Sequence, residues 1–244
     1  MFDPFGDFAT RGYLQNVEGL KRLEEVKVLE HTFFEANFEE AFKFLEKVKG
    51  PLTYAHFLRV HHILFNDFYP WAGRDRFQLG VGNFVEKGTF QFEESSQARR
   101  AIEWGLEMGN NRTVMVKKPG VVMGQFAWGH PFLDGNGRTM LLVHTELCAR
   151  ADFSIDWTST KKTDYLQALT SELQAPEKGF LDAYFVPLIQ QLPARKVWMN
   201  HIKSLHGLDG AYTTDDNMSY AGDDVMARQR YEEANKLRKI SQQS

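Results

Sequence analysis

Apolar residues recur at steps of three and four along most of this chain, and the pattern gives way to strict alternation in one short stretch only. On a 3.6-residue repeat such steps gather on one helix face, which another helix must cover, so the expected fold is a helical bundle. Residues 14–30 carry Leu20, Leu23, Val26 and Leu29 or Val28 as one stripe. A second helix is read over 38–48, stopped by Gly50-Pro51, and a third over about 53–67 behind a Thr53 cap. Further helical patterns cover 94–109, 119–128, 138–151, 160–173, 177–191 and 223–240. The alternating stretch, RFQLGVGNF and TFQF around Glu86-Lys87-Gly88, predicts a short β-hairpin over 76–92. The fold class is therefore all-α with one small hairpin. No motif repeats at a fixed interval, which disfavours a solenoid. Phe33, Phe34, Phe38, Phe42 and Phe44 read as core, because most of them fall at helical spacing.

With 244 residues and 43% hydrophobic content, the chain can build one substantial core. Residues 1–195 are expected to form the main domain, and 196–244, with the polar run 207–222, a partly helical appendage. Against 29 Lys and Arg stand 32 Asp and Glu, a net charge of -3, which speaks against a direct nucleic-acid role. Cys148 is the one cysteine, so no intrachain disulfide or multi-cysteine zinc site can form, and a reducing compartment is expected. No window approaches the roughly 18–20 apolar residues of a membrane span, and MFDPFGDFATRGYL lacks the form of a secretory leader. A cytoplasmic location follows, with secretion by another, receptor-read route left open.

The chemistry concentrates in GHPFLDGNGRT, residues 129–139. Gly135 and Gly137 let the backbone approach a ligand, and the apolar run after Arg138 places the segment at a helix N-terminus, where unpaired N–H groups and the helix dipole favour phosphate. Arg138 adds a planar cation suited to two phosphate oxygens. Asp134 supplies a hard oxygen of the kind Mg²⁺ accepts when a nucleotide brings the other ligands. His130 is a candidate general base. Taken singly, Gly-Asn-Gly is a turn, Asp134 a helix cap and His130 a structural histidine; the joint spacing favours attack of a hydroxyl on a metal-bound nucleotide. His61 and His62 read as packing or hydrogen-bonding residues, since no HExxH arrangement surrounds them. Cys148 reads as a small buried group, and the pairs Arg99-Arg100, Lys117-Lys118 and Lys161-Lys162 as solvated surface.

His130-Pro131-Phe132-Leu133-Asp134-Gly135-Asn136-Gly137-Arg138 resembles the Fic-family signature HxFx(D/E)GNGRxxR through its first arginine. HHILFNDFYPWAGRDR, residues 61–76, is similar to that family's LFxxxYPWAGxxR segment, and the resemblance spans about residues 10–191. It implies a Fic-type helical bundle with a hairpin flap that transfers a nucleoside monophosphate, AMP from ATP above all, to a Ser, Thr or Tyr hydroxyl of a target protein docked at 76–92. By the same resemblance His130 deprotonates the hydroxyl and Asp134 holds Mg²⁺. Gly135, Asn136 and Gly137 cradle the phosphates, Arg138 grips the outer ones, and Phe132 anchors the loop. Lys87 and Gly88 lie near nucleotide and target.

The signature's second arginine is Leu141 here, which leaves open another nucleotide, a compensating cation elsewhere, a related reaction such as phosphocholine transfer or AMP removal, or a degenerate module that only holds nucleotide or a partner. The family's inhibitory pattern (S/T)xxxE(G/N) is also missing, because the one Glu followed by Gly or Asn, Glu18, has Leu14 four residues before it. Any inhibition is then expected from a separate antitoxin-like protein or by another route.

Overall fold

The first helix, α1 (Leu23–Lys47), is continuous where two helices are expected. Val26, Phe34, Phe38, Phe42 and Leu45 carry one buried stripe across residue 32, and neither Gly nor Pro interrupts it. The computed structural model describes residues 14–87, 90–203, 205, 218–221 and 225–241. Helix α2 (Tyr54–Phe65) begins behind Thr53, whose N–H donates to His56 Nδ1 at 3.0 Å. The start of the expected hairpin is instead a short helix, α3 (Arg76–Leu79), because Asp75 caps it: its carboxylate accepts from Gln78 N–H at 2.7 Å while Gln78 Oε1 accepts from Asp75 N–H. Strands β1 (Phe84–Lys87) and β2 (Phe90–Gln91) then form the hairpin.

Four helices follow: α4 (Ser95–Asn110), α5 (Arg112–Lys117), α6 (Pro119–Gly129) and α7 (Asn136–Arg150). Beyond them lie β3 (Phe153–Ile155), α8 (Lys162–Gln174), α9 (Phe180–Phe185), β4 (Ile189–Gln191), α10 (Arg195–Lys203), β5 (Met218–Ala221) and α11 (Val225–Ser241). The helix expected over 177–191 ends early, since Pro187 removes a helical donor, and β4 then pairs antiparallel with β3. The other sheet has the order β2-β1-β5, so the hairpin carries a third strand from the C-terminal stretch. Trp198 and Ile202 of α10 are buried in the common core.

The centre of the molecule is the pair α6 and α7. Helix α6 is buried on every side, against α4, α9 and α7, as a helix apolar all round must be. Helix α7 is buried over most of its length and also packs on α2 and α1. Residues 130–135 link these two inaccessible helices, so both ends of the loop are fixed by the core. Among the described residues, no helix is long and apolar enough to cross a membrane.

Candidate active site

His130 caps the C-terminal end of α6 in the left-handed region, with φ 39°. A non-glycine residue there is strained and persists only where its surroundings overdetermine it. The constraint comes from Arg76, a fully buried side chain whose guanidinium meets main-chain carbonyls. It donates to His130 O and Glu93 O at 2.8 Å each, to Gly82 O at 2.5 Å, and to the carbonyls of Asn83 and Gly129. Its own N–H donates to Pro131 O at 2.8 Å. Arg76 thus ties both feet of the hairpin to the turn bearing His130.

The His130 ring stacks on Phe92, centroids 3.9 Å apart, and its Nε2 is buried without a hydrogen-bond partner. Burial, reinforced by Arg76 and Lys87, pushes its pKa well below the usual histidine value, so the ring is neutral and Nε2 can accept a proton. Lys87, in β1, is close enough to exert that field; Gly88 lies outside the described residues.

The turn is shaped from within. Asn136 Nδ2 donates to Phe132 O at 2.7 Å and its Oδ1 accepts from Phe132 N–H at 2.9 Å, so the amide expected to orient phosphates closes the loop instead. Phe132 is fully buried and stacks on His61 at 3.7 Å, which gives it the expected anchoring place. His61 Nε2 meets Asp134 O at 3.0 Å and its Nδ1 accepts from Gly73 N–H at 2.8 Å, so a fully buried neutral imidazole fastens the loop to α2. Gly135, at φ 75°, admits no side chain, because a Cβ would lie 2.5 Å from Phe65. A Cβ on Gly137 would meet nothing within 4 Å. Open space therefore faces the α7 N-terminus, whose Asn136, Gly137 and Arg138 N–H groups have no protein acceptor among the described residues. Such a terminus suits an anion.

Around this opening the charges are paired by α1. Asp134 accepts from Gly135 N–H at 2.6 Å and lies 3.4 Å from Lys27 Nζ and 3.6 Å from Arg138. Burial would raise the Asp134 pKa, but Lys27 and Arg138 prevail and hold it at about 2. Arg138 bonds Glu30 at 2.5 Å and lies over the Phe65 ring at 4.5 Å. Glu30 is fully buried and its Oε2 has no hydrogen-bond partner. Burial raises its pKa, against the opposing pull of Arg138. The family's inhibitory pattern places no glutamate at the loop's arginine, yet α1 supplies one.

The structure thus keeps His130, Asp134, Gly135, Asn136, Gly137 and Arg138 together in and beside one loop, with Lys87 near enough to act on His130 electrostatically. Lys27, Glu30, Arg76, His61 and Phe92 complete the site without having been singled out for it in the sequence reading. Leu141 is buried and offers no charge to the opening.

A helical domain with a capped loop between two buried helices and a strand flap defines the class, and residues 51–148 match the model of the Fic/DOC family. Within residues 51–148 the chain carries the domain that this family model describes. It is 26% identical over 170 residues to protein adenylyltransferase VbhT of Bartonella schoenbuchensis, an alignment covering 68% of this chain and 35% of that protein. It is likewise 26% identical over 160 residues to probable protein adenylyltransferase y4lH of Sinorhizobium fredii, covering 64% of this chain and 81% of the relative. The chain thus spans about a third of VbhT's length. Among solved structures, the N-terminal Fic domain of a putative cell filamentation protein from Bartonella quintana with bound ADP aligns at TM-score 0.59 and 16% identity, over 82% of this chain and all of that one. BepC of Bartonella tribocorum with bound AMPPNP aligns at TM-score 0.56 and 16% identity, over 74% and 93%. These likenesses establish the fold.

Proposed function

We propose that this chain transfers AMP from ATP to a hydroxyl of another protein. The observation that carries the reading is the unpartnered, neutral Nε2 of His130, held under the hairpin beside a helix N-terminus with free amides. His130 takes the proton as the hydroxyl oxygen bonds to the α-phosphorus. The bond from that phosphorus to the β-phosphate bridging oxygen breaks, and pyrophosphate leaves. The open N–H groups at Asn136, Gly137 and Arg138 receive phosphate oxygens, while Asn136 holds the turn in shape through Phe132. Lys27 and Arg138 supply the cations, and Lys27, from a different helix, stands in for the charge that Leu141 lacks. Lys87 on β1 lies toward nucleotide and target, and Gly88 beside it keeps the same assignment from family resemblance.

For Mg²⁺, Asp134 offers one hard oxygen set, and no cluster of three acidic, His or Cys ligands exists among the described residues. The fit is to an ion that takes its remaining ligands from phosphates and water, with Lys27 moving off the carboxylate. When bound, that ion neutralises phosphate charge.

A second reading rests on the Glu30–Arg138 and Lys27–Asp134 pairs, which satisfy the loop's charges internally: a module that holds nucleotide without transferring it. Incubation with α-labelled ATP, GTP, UTP or CTP, Mg²⁺ and a cell lysate separates the two. Label on protein, reduced by about 10² to 10⁴ with His130→Ala, supports transfer; nucleotide binding with no label supports the module.

A further inference from the structure

The segments 61–76 and 129–139 meet at one imidazole. Gly73 N–H donates to His61 Nδ1 at 2.8 Å, and because an N–H can only donate, Nδ1 carries the lone pair and the proton lies on Nε2. Nε2 therefore donates to Asp134 O at 3.0 Å. The ring is seated too closely to turn away from these partners: it is fully buried, stacks on Phe132 at 3.7 Å and lies 4.9 Å from the Phe65 ring and 5.8 Å from that of Trp71. Asp134 O belongs to the same peptide unit as the Gly135 N–H. In a planar trans unit the C=O and N–H point in opposite directions, and no peptide bond among the described residues is cis. With its carbonyl drawn to His61, the unit turns its N–H the other way, onto Asp134 Oδ1 at 2.6 Å. The second carboxylate oxygen, Oδ2, faces Lys27 Nζ at 3.4 Å. Gly135, at φ 75°, has no Cβ to oppose a turn-over of that unit. The turned-over form would take the N–H from Oδ1 and set a carbonyl dipole against the carboxylate in its place.

We propose that His61 is a positioning residue for divalent-ion binding at Asp134: by holding the Asp134–Gly135 peptide carbonyl inward, it aims that peptide's N–H at Oδ1 and so fixes the carboxylate. The role rests on the reading that this loop takes a nucleotide with Mg²⁺, and it falls on the ion rather than on the nucleotide. His61→Phe keeps a ring in the seat and deletes both hydrogen bonds; His61→Gln supplies an amide that can both donate and accept. In the full chain, ADP binding is followed by calorimetry in EDTA and at rising Mg²⁺. In His61→Phe the apparent Mg²⁺ affinity in the presence of ADP should fall by at least about tenfold, while ADP affinity in EDTA stays within about twofold of the wild type. His61→Gln should recover most of the loss. An unchanged Mg²⁺ affinity in His61→Phe, or an equal loss of ADP affinity with and without Mg²⁺, overturns the proposal and makes His61 a packing residue.

The Gly135 amide supplies a readout that needs no ligand. Its exchange with solvent should quicken by at least about tenfold in His61→Phe and slow again in His61→Gln. Exchange unaltered by His61→Phe overturns the hold on the peptide. ADP binding that Mg²⁺ does not tighten in the wild type counts against the inference and leaves nucleotide binding intact. No ADP binding in either condition counts against the nucleotide reading, while the Gly135 amide still decides what His61 holds.

Discussion

Two buried histidines lie at opposite ends of the central helix pair, and their surroundings differ in kind. His144, within α7, donates from Nε2 to Pro119 O at 2.8 Å and approaches Cys148 Sγ with Nδ1, in ordinary helical backbone. His130, at the end of α6, has left-handed backbone, a stacked ring and an unpartnered Nε2. Both are neutral for the same first reason, burial, yet only one has a lone pair left to use. The carbonyls of the His130 turn and the main chain of Phe132 are satisfied, by Arg76, Asn136 and His61, while Nε2 of His130 is not. His144 completes its hydrogen bonds; His130 is kept from doing so by neighbours that complete theirs.

That contrast can be broken most directly at Arg76. Arg76→Met leaves five carbonyls of the hairpin feet and the turn without their donor, and should lower unfolding free energy by about 3–5 kcal/mol in urea melts. A loss under about 1 kcal/mol would mean that the turn is held by something else.

The next effect is one of pH. Burial depresses the folded-state pKa of His144 to about 4 from 6.5. Its contribution is therefore present in full above pH 6.5 and declines as pH falls toward 4, by about 3 kcal/mol at the limit. His144→Gln, which keeps a donor for Pro119, should flatten the stability curve in that window by one proton. An unaltered slope would show that His144 is protonated within the fold.

A smaller effect sharpens the account of charge at the opening. Lys27→Met should weaken ATP binding about tenfold, roughly 1.4 kcal/mol, with AMP affected far less. Equal loss for both nucleotides by calorimetry would place Lys27 away from the outer phosphates. The smallest effect has the opposite sign: His130→Gly relieves the left-handed strain and removes an unsatisfied nitrogen, so stability should rise by about 1 kcal/mol while transfer is lost. A destabilised variant would remove strain from the argument.

The helical class and the loop were legible because both are local: periodicity marks a face, and the nine-residue run from His130 to Arg138 is contiguous. The hairpin lay where alternation put it, except that the Asp75 cap turned its first residues into a helix. What was not legible is long-range. Glu30 did leave a trace, as the one carboxylate on the stripe Val26, Glu30, Phe34, Phe38, a position where a charge must be paired or be expelled. Its partner 108 residues away leaves no mark in spacing. Arg76 stood in a recognised segment, but that it binds carbonyls rather than an acid depends on how the hairpin feet meet the α6 end. Strand β5 fell within the polar run 207–222 of the expected appendage, since four residues that pair with a distant edge carry no periodicity of their own.

The cage around Arg76 has a chemical consequence. Main-chain carbonyls do not titrate, and a guanidinium keeps its proton throughout the range in which proteins fold, so the hinge between flap and turn is blind to acidity. Any dependence of this molecule on pH must therefore arise elsewhere, at groups that change their charge.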